Sequence, residues 1–155
     1  MTPQIDLQNT IDSEGIPKLE NFQLWVKVTL VEVDYSLDEP EITVRIVSTN
    51  ESNQLNLSYR GKDKPTNVLS FPFEKPEMIP LEELDNFLGD LVICADVVSR
   101  EASEQNKPLL AHWAHMVVHG ILHLVGFDHQ NDKQAAEMEA IEITVLKALN
   151  FPNPY

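Results

Sequence analysis

Residues 109 to 129 read LLAHWAHMVVHGILHLVGFDH, and this segment predicts both a principal helix and a principal site. Its apolar residues recur at helical spacing, which predicts a helix over Leu109–Val125. His119 and His123 lie four residues apart, about one helical turn, so both imidazoles project from the same face. Gly126 can adopt the left-handed conformation that ends a helix, and the chain can then double back and bring His129 to the same point.

The three histidines predict a site for one transition-metal ion per chain, with zinc as the first choice. Three protein ligands to zinc leave the fourth tetrahedral position for water, whose pKa the metal can lower to about 7. This geometry is typical of a catalytic site. Imidazole also suits iron, nickel and cobalt, so the identity of the metal stays open. The alternative, that the histidines only pack or cap, fits a lone histidine better than this spacing.

Two further residues of the segment have two interpretations each. His115 lies one turn before His119 and would line the cleft, positioning substrate or shuttling protons, but a satisfied polar residue at the helix rim is an equal alternative. Asp128 would orient a ligand imidazole, or it would only form the turn. We therefore expect His119, His123 and His129 alone to bind the metal.

The rest of the chain alternates between strand and helix patterns. Four strands are predicted. Period-two alternation indicates Gln4–Gln8 (the weakest), Glu41–Ser48 and Val68–Phe73. A continuous apolar run, which suits a central strand, indicates Leu88–Ala95. Helical spacing is present in four further segments: Leu19–Val33, Glu51–Tyr59, Asp96–Asn106 and Asp132–Leu149. Asn50, Asp132 and Gly126 stand at expected capping positions. Lys75–Asn86, with two prolines and several acidic residues, is predicted to be a loop.

Bulk composition favours a single domain over residues 1–155, because 155 residues with 43% hydrophobic content can enclose one core. The net charge of −14 indicates that any nucleic-acid contact is local. Cys94 is the only cysteine, which excludes an internal disulfide and, with no secretory signal-like start, favours a cytoplasmic location. No apolar run approaches the roughly 20 residues of a membrane span, so no membrane partner is expected.

The histidine spacing and the glycine match those of the metzincin peptidases, which place a glutamate directly after the first histidine as general base. Here that position is Gly120. Without the carboxylate, peptide hydrolysis lacks its usual proton acceptor.

Three blocks together resemble a different family. HGILHLVGFDH at residues 119–129, YRGKDKPTNVLSFPF at residues 59–73 and LGDLVIC at residues 88–94 are similar to characteristic segments of the YbeY family of bacterial endoribonucleases and ribosomal RNA maturation factors. The resemblance spans most of the chain from about residue 40 onward. It implies an α+β fold with a small mixed sheet, here of four strands packed by about five helices, and a zinc-bearing three-histidine helix like that of zinc peptidases.

The resemblance also implies a function. It implies a single-strand-specific, zinc-dependent endoribonuclease that acts in maturing the 3′ end of small-subunit ribosomal RNA and in ribosome quality control, with the ribosome or ribosome-associated proteins as partners. The family's ligand histidines correspond to His119, His123 and His129, and its functionally important arginine corresponds to Arg60. A zinc metallopeptidase and a non-catalytic, zinc-stabilised ribosome-assembly factor are the alternatives.

Arg60, Lys62 and Lys64 place three of the chain's eleven positive charges within five residues, which makes this loop a natural docking point for phosphate. We expect Arg60 to act with the metal site by stabilising charge on the phosphoryl oxygens, and Lys62, Lys64 and His115 to bind substrate. A solvated loop with ordinary surface cations is the alternative. Either zinc-bound water or the ribose 2′-hydroxyl would be the nucleophile, and the residues identify no general base.

Overall fold

A mixed four-stranded sheet forms the frame of the computed structural model, which describes residues 1–74 and 86–155. The strands are β1 (Gln4–Asn9), β2 (Glu41–Val47), β3 (Val68–Pro72) and β4 (Phe87–Cys94). Their spatial order is β1-β2-β4-β3, with β1/β2 and β2/β4 parallel and β3/β4 antiparallel. β4 is therefore a central strand, as its continuous apolar run predicts, and β3 is an edge strand.

Five helices accompany the sheet in the described part of the chain: α1 (Leu19–Glu32), α2 (Thr49–Arg60), α3 (Ala95–Glu104), α4 (Leu109–Leu124) and α5 (Asp132–Ala148). Every strand and helix expected from the sequence is present, and each boundary lies within two residues of the expected one. The α+β fold with a small mixed sheet is thus confirmed. The loop expected at Lys75–Asn86 lies outside the described residues, apart from Asn86, which is in a turn.

The two faces of the sheet contribute to two separate apolar clusters. Along β4, Leu91 and Ile93 join the main core, whereas Val92 and Cys94 point to the other face and join a smaller cluster beside α2. This division follows from the period of two along a strand. Burial raises the pKa of the Cys94 thiol, and Cys94 packs as an apolar residue in the smaller cluster.

Helix α4 lies at the centre of the main core, where twelve of its sixteen residues are buried. It packs against α1, α5 and the sheet. The close approach to the sheet depends on Gly120, because a Cβ at this position would lie 2.7 Å from Cδ2 of the buried Leu91. At the same point the Ser70 hydroxyl of β3 donates a hydrogen bond of 3.2 Å to the Gly120 carbonyl oxygen. The histidine-bearing helix is therefore held directly against the edge strand.

Two of the three expected capping positions are wrong. The N-cap of α2 is Ser48, whose extended backbone lets its hydroxyl accept from the Glu51 N–H at 3.2 Å, and Asn50 lies inside the helix. The N-cap of α5 is Asn131, and Asp132 is the first helical residue. In both cases the capping residue is the one whose side chain can reach back to the third helical N–H.

Within the described residues, no helix combines the length and apolar character that crossing a membrane requires.

Candidate metal centre and its cleft

The turn after α4 brings the third histidine back to the first two. Gly126 has a φ of +103°, which favours glycine, and its N–H donates to the His123 carbonyl at 3.1 Å. The Phe127 N–H donates to the Leu122 carbonyl at 2.9 Å, which completes a Schellman motif. The chain then reverses, and the expected convergence of His129 with the two helical histidines is present.

The three imidazoles form a compact set of donors. The Nε2 atoms of His119 and His123 lie 3.1 Å apart, and one ring nitrogen from each of the three residues lies within 4.8 Å of the others. In a tetrahedral zinc site with Zn–N bonds of about 2.0–2.1 Å, ligand nitrogens are about 3.3 Å apart. The arrangement therefore fits one ion bound by three histidines, and with the ligands that the described residues offer, a further coordination position is left for solvent or substrate.

The hydrogen bond of His119 and the surroundings of His123 also fit a cation. His119 donates from Nδ1 to the Glu142 carboxylate at 3.0 Å, which leaves the lone pair of Nε2 directed towards His123. Burial lowers the pKa of His123, and the neighbouring His119 and His129 lower it further, so its neutral form is favoured. Two nitrogen lone pairs at this separation repel each other unless a proton or a cation lies between them. The donor set is therefore suited to a metal ion.

Glu142 of α5 is the residue that fixes this donor set, and the sequence reasoning missed it. Its side chain is 1% exposed, and its carboxylate accepts from His115 and His119 at 3.0 Å each and from the Tyr155 hydroxyl at 2.7 Å. Burial of the carboxyl opposes ionisation, but these three hydrogen bonds outweigh it and lower the pKa of Glu142 to about 2. The sequence contained one signal for it: Glu142 lies at helical spacing from the apolar Met138 and Val145, on the face of α5 that is buried in the structure.

The contacts of His115 and Asp128 bear on the two interpretations that the sequence allows for each residue. His115 is buried beside Glu142, to which its Nε2 donates, and its Nδ1 has no hydrogen-bond partner among the described residues. It is not among the described residues that line the cleft beside His119, so its expected contact with substrate stays a prediction. The Asp128 carboxylate accepts from the backbone N–H of His129 at 2.8 Å, which is the turn-forming role. The imidazole-orienting carboxylate of this site is Glu142 rather than Asp128.

A cleft of about 760 Å³ opens beside the histidines, between β3, the end of α2 and the turn after α4. Its lining residues are Tyr59, Arg60, Thr66, Asn67, Val68, Leu69, Ser70, Phe71, Pro72, His119, His123, Gly126, Phe127, Asp128 and His129. The structure thus brings Arg60 into the same cleft as the three histidines. Lys62 and Lys64 are exposed in the following loop and are not among the described residues that line the cleft.

Helix α2 and its C-terminal turn position Arg60. The helix ends at Gly61, which has a φ of +69°, a left-handed conformation that glycine adopts readily. The loop that follows is anchored on the helix, because the Asn56 amide donates to the Lys64 carbonyl at 2.8 Å and the Ser52 hydroxyl donates to the Thr66 carbonyl at 3.0 Å. Arg60 is therefore presented to the cleft from a fixed turn.

The position that carries the general base in metzincins has no room for one here. Gly120 faces the sheet rather than the cleft, and its immediate neighbours are Leu91 and Ser70. A side chain at this position would meet the sheet and not a substrate.

Comparisons with known proteins agree with this geometry. The family model described as Endoribonuclease YbeY matches residues 6–150 of the chain. A curated protein of Colwellia psychrerythraea, named Endoribonuclease YbeY, is 56% identical over 156 residues, which cover 100% of this chain and 98% of that protein. The solution structure of TM1509 from Thermotoga maritima aligns with a TM-score of 0.58 at 27% identity and covers 94% of this chain and 87% of that one.

Proposed function

The chain belongs to the YbeY family of endoribonucleases, and we propose that it is a zinc-dependent endoribonuclease that cuts single-stranded RNA. We further propose that the protein acts in the cytoplasm, in maturing the 3′ end of small-subunit ribosomal RNA and in ribosome quality control. The observation that supports the chemistry is the common cleft of Arg60, His119, His123 and His129. An arginine beside a candidate metal centre suits the cleavage of a phosphodiester.

Each residue of the site has a separate task in this proposal. His119, His123 and His129 would hold the zinc ion through their neutral nitrogens. When bound, the ion supplies Lewis acidity at the scissile phosphodiester. Arg60 binds the phosphoryl oxygens through its planar guanidinium and stabilises the charge that grows on them during cleavage. Lys62 and Lys64, in the exposed loop, would attract phosphates farther along the strand.

Glu142 acts through His119 rather than on the RNA. Its ionised carboxylate accepts a hydrogen bond of 3.0 Å from Nδ1 of His119, which fixes the ring orientation and makes Nε2 the metal-binding atom. The negative charge also compensates in part for the charge of a bound cation. Glu142 is therefore a positioning residue.

The overall charge supports a partner that presents the substrate. At −14 the chain repels RNA at long range, so the affinity for free RNA should be low. We propose that the ribosome or a ribosome-associated protein brings the RNA to the cleft. Tight and nearly salt-independent binding of naked RNA would contradict this part of the proposal.

Two alternatives remain testable. A zinc metallopeptidase would use the same three histidines, but Gly120 provides no general base and faces the sheet. Digestion of casein by the zinc-loaded protein would support it. A non-catalytic assembly factor would need the metal only for its fold, and it predicts that zinc removal unfolds the domain while Arg60→Ala leaves its function intact.

The test is cleavage of a single-stranded ribosomal RNA fragment by zinc-loaded wild-type protein, by the same sample after chelation, and by the chelated sample after zinc is restored. Arg60→Ala should abolish most of the cleavage, whereas Lys27→Ala, which removes an exposed cation of α1 that is not among the described residues lining the cleft, should have a small effect. Cleavage that survives chelation, or that is equal in both variants, would contradict the proposal. Product ends identify the nucleophile, because a 2′,3′-cyclic phosphate indicates the ribose hydroxyl and a 5′-phosphate indicates water.

A further inference from the structure

Tyr59 is an aromatic residue that stays open to solvent inside the candidate cleft. It lies on the last turn of α2, directly before Arg60, and 68% of its surface is exposed. Its ring packs against Phe71 of β3 in an edge-to-face pair, with the ring centroids 5.0 Å apart and an interplanar angle of 67°. The ring is therefore supported from one side by the edge strand, and the other described residues leave most of its surface uncovered.

The aromatic pair lies in the cleft where the RNA is proposed to bind. Tyr59 and Phe71 line the same cleft as Arg60 and the three candidate ligands. A nucleotide whose phosphate contacts Arg60 would thus have its base, or the base of its neighbour, within reach of an exposed aromatic ring. Aromatic side chains bind unpaired bases by stacking, and they tolerate every base because each base has a π face.

Charge provides a second argument for such a contact. Among the described residues that line the cleft, Arg60 is the single lysine or arginine, and the chain as a whole carries −14. Besides Arg60, phosphates would meet only the proposed zinc ion and the exposed Lys62 and Lys64, and the acidic chain weakens these contacts at long range, so a contact that does not depend on charge would add to binding. Stacking on a ring is insensitive to the repulsion between the acidic chain and RNA. It also discriminates by structure, since a base inside a duplex is already stacked and paired.

We propose that Tyr59, supported by Phe71, stacks on an unpaired base next to the scissile phosphate and that this contact selects single-stranded RNA. The proposal rests on the proposed endoribonuclease function and names the contact that would give it strand selectivity. The group recognised is an unpaired nucleobase of any type, one or two nucleotides from the phosphate that contacts Arg60.

The experiment combines protein and substrate changes. Tyr59→Ala removes the ring, Tyr59→Phe keeps it, and Leu57→Ala is the matched control because Leu57 is an exposed apolar residue of the same helix that does not line the cleft. The substrates are one single-stranded oligonucleotide and a series in which an abasic ribose replaces each nucleotide flanking the mapped cleavage position in turn. Zinc content and thermal unfolding verify that all variants are folded and loaded.

Tyr59→Ala is expected to lower kcat/KM for the intact oligonucleotide by about 5- to 150-fold, the range for losing one base–aromatic stack. Tyr59→Phe should recover most of this loss, and Leu57→Ala should match the wild type. In one substrate of the abasic series, the missing base should lower wild-type kcat/KM by a similar factor. The same substrate should cause no further loss of kcat/KM in Tyr59→Ala. This non-additivity assigns the ring and the base to one interaction.

Two results would overturn the proposal while leaving the nuclease function intact: equal cleavage by wild type and Tyr59→Ala, or a Tyr59→Ala loss that persists at every abasic position. Binding of a fluorescent oligonucleotide to zinc-free protein, followed by anisotropy, provides a readout that needs no catalysis. There, weaker binding by Tyr59→Ala alone supports stacking, and equal binding by all variants refutes it. If wild type binds with this dependence on Tyr59 but cuts no RNA, the nuclease function fails and the stacking site stands.

Discussion

Replacing Glu142 by glutamine should weaken zinc binding by about 10- to 100-fold, which corresponds to about 1.4–2.7 kcal/mol. The carboxylate accepts three hydrogen bonds, from His119 and His115 at 3.0 Å each and from Tyr155 at 2.7 Å. Glutamine keeps the shape but loses the charge, and its amide N–H must face one of these donors. The His119 ring then loses its fixed tautomer and its orientation. Competition with a chromophoric zinc chelator measures the affinity directly.

The control for this prediction is Glu137→Gln, which removes an exposed carboxylate from the same helix and should leave zinc affinity unchanged. Thermal unfolding of the zinc-free proteins separates loss of metal binding from loss of fold. Wild-type zinc affinity in a folded Glu142→Gln variant would show that this carboxylate does not orient His119 for metal binding. An equal loss in Glu137→Gln would show a general charge effect instead.

Three further predictions concern the fold. Gly89→Ala should destabilise the protein by at least about 2 kcal/mol in urea unfolding, because Gly89 has a φ of +142° and an added Cβ would overlap the Phe71 carbonyl oxygen; unchanged stability would contradict this. Glu51→Gln should remove a bidentate pair with Arg45 and cost about 0.5 kcal/mol at neutral pH. This pair lowers the pKa of Glu51 below 4.5, so its contribution to the free energy of unfolding is present above pH 4.5 and is lost as the pH falls further. The difference in stability between Glu51→Gln and wild type should therefore vanish in acid. Tyr155→Phe removes a donor to the buried carboxylate and should cost about 1 kcal/mol, and a stability equal to wild type would count against that hydrogen bond.

The parts of the fold that the sequence predicted are those that local patterns determine. The period of α4, the alternation along β2 and the apolar run of β4 each depend on residues close together in the chain, and their boundaries were found within two residues. The convergence of the three histidines was also a local inference, because one helical turn and one left-handed glycine are sufficient to place them.

The parts that the sequence could not predict depend on packing between distant elements. Glu142 contacts His119 only because α5 packs against α4, and no spacing rule connects residues 23 positions apart. The burial of His115 follows from the same packing. The wrong capping residues, Asn50 and Asp132, reflect the backbone conformation at each helix start, which decides among neighbouring polar residues.

RNA cleavage by zinc-loaded wild type and by a His123→Ala variant prepared identically tests whether the three-histidine site carries the activity. Circular dichroism verifies that the variant is folded. His123 supplies one of the three converging nitrogens, so we expect the variant to bind zinc weakly and to cut at background level. Equal cleavage by the two proteins would contradict the claim that the three-histidine site carries the activity.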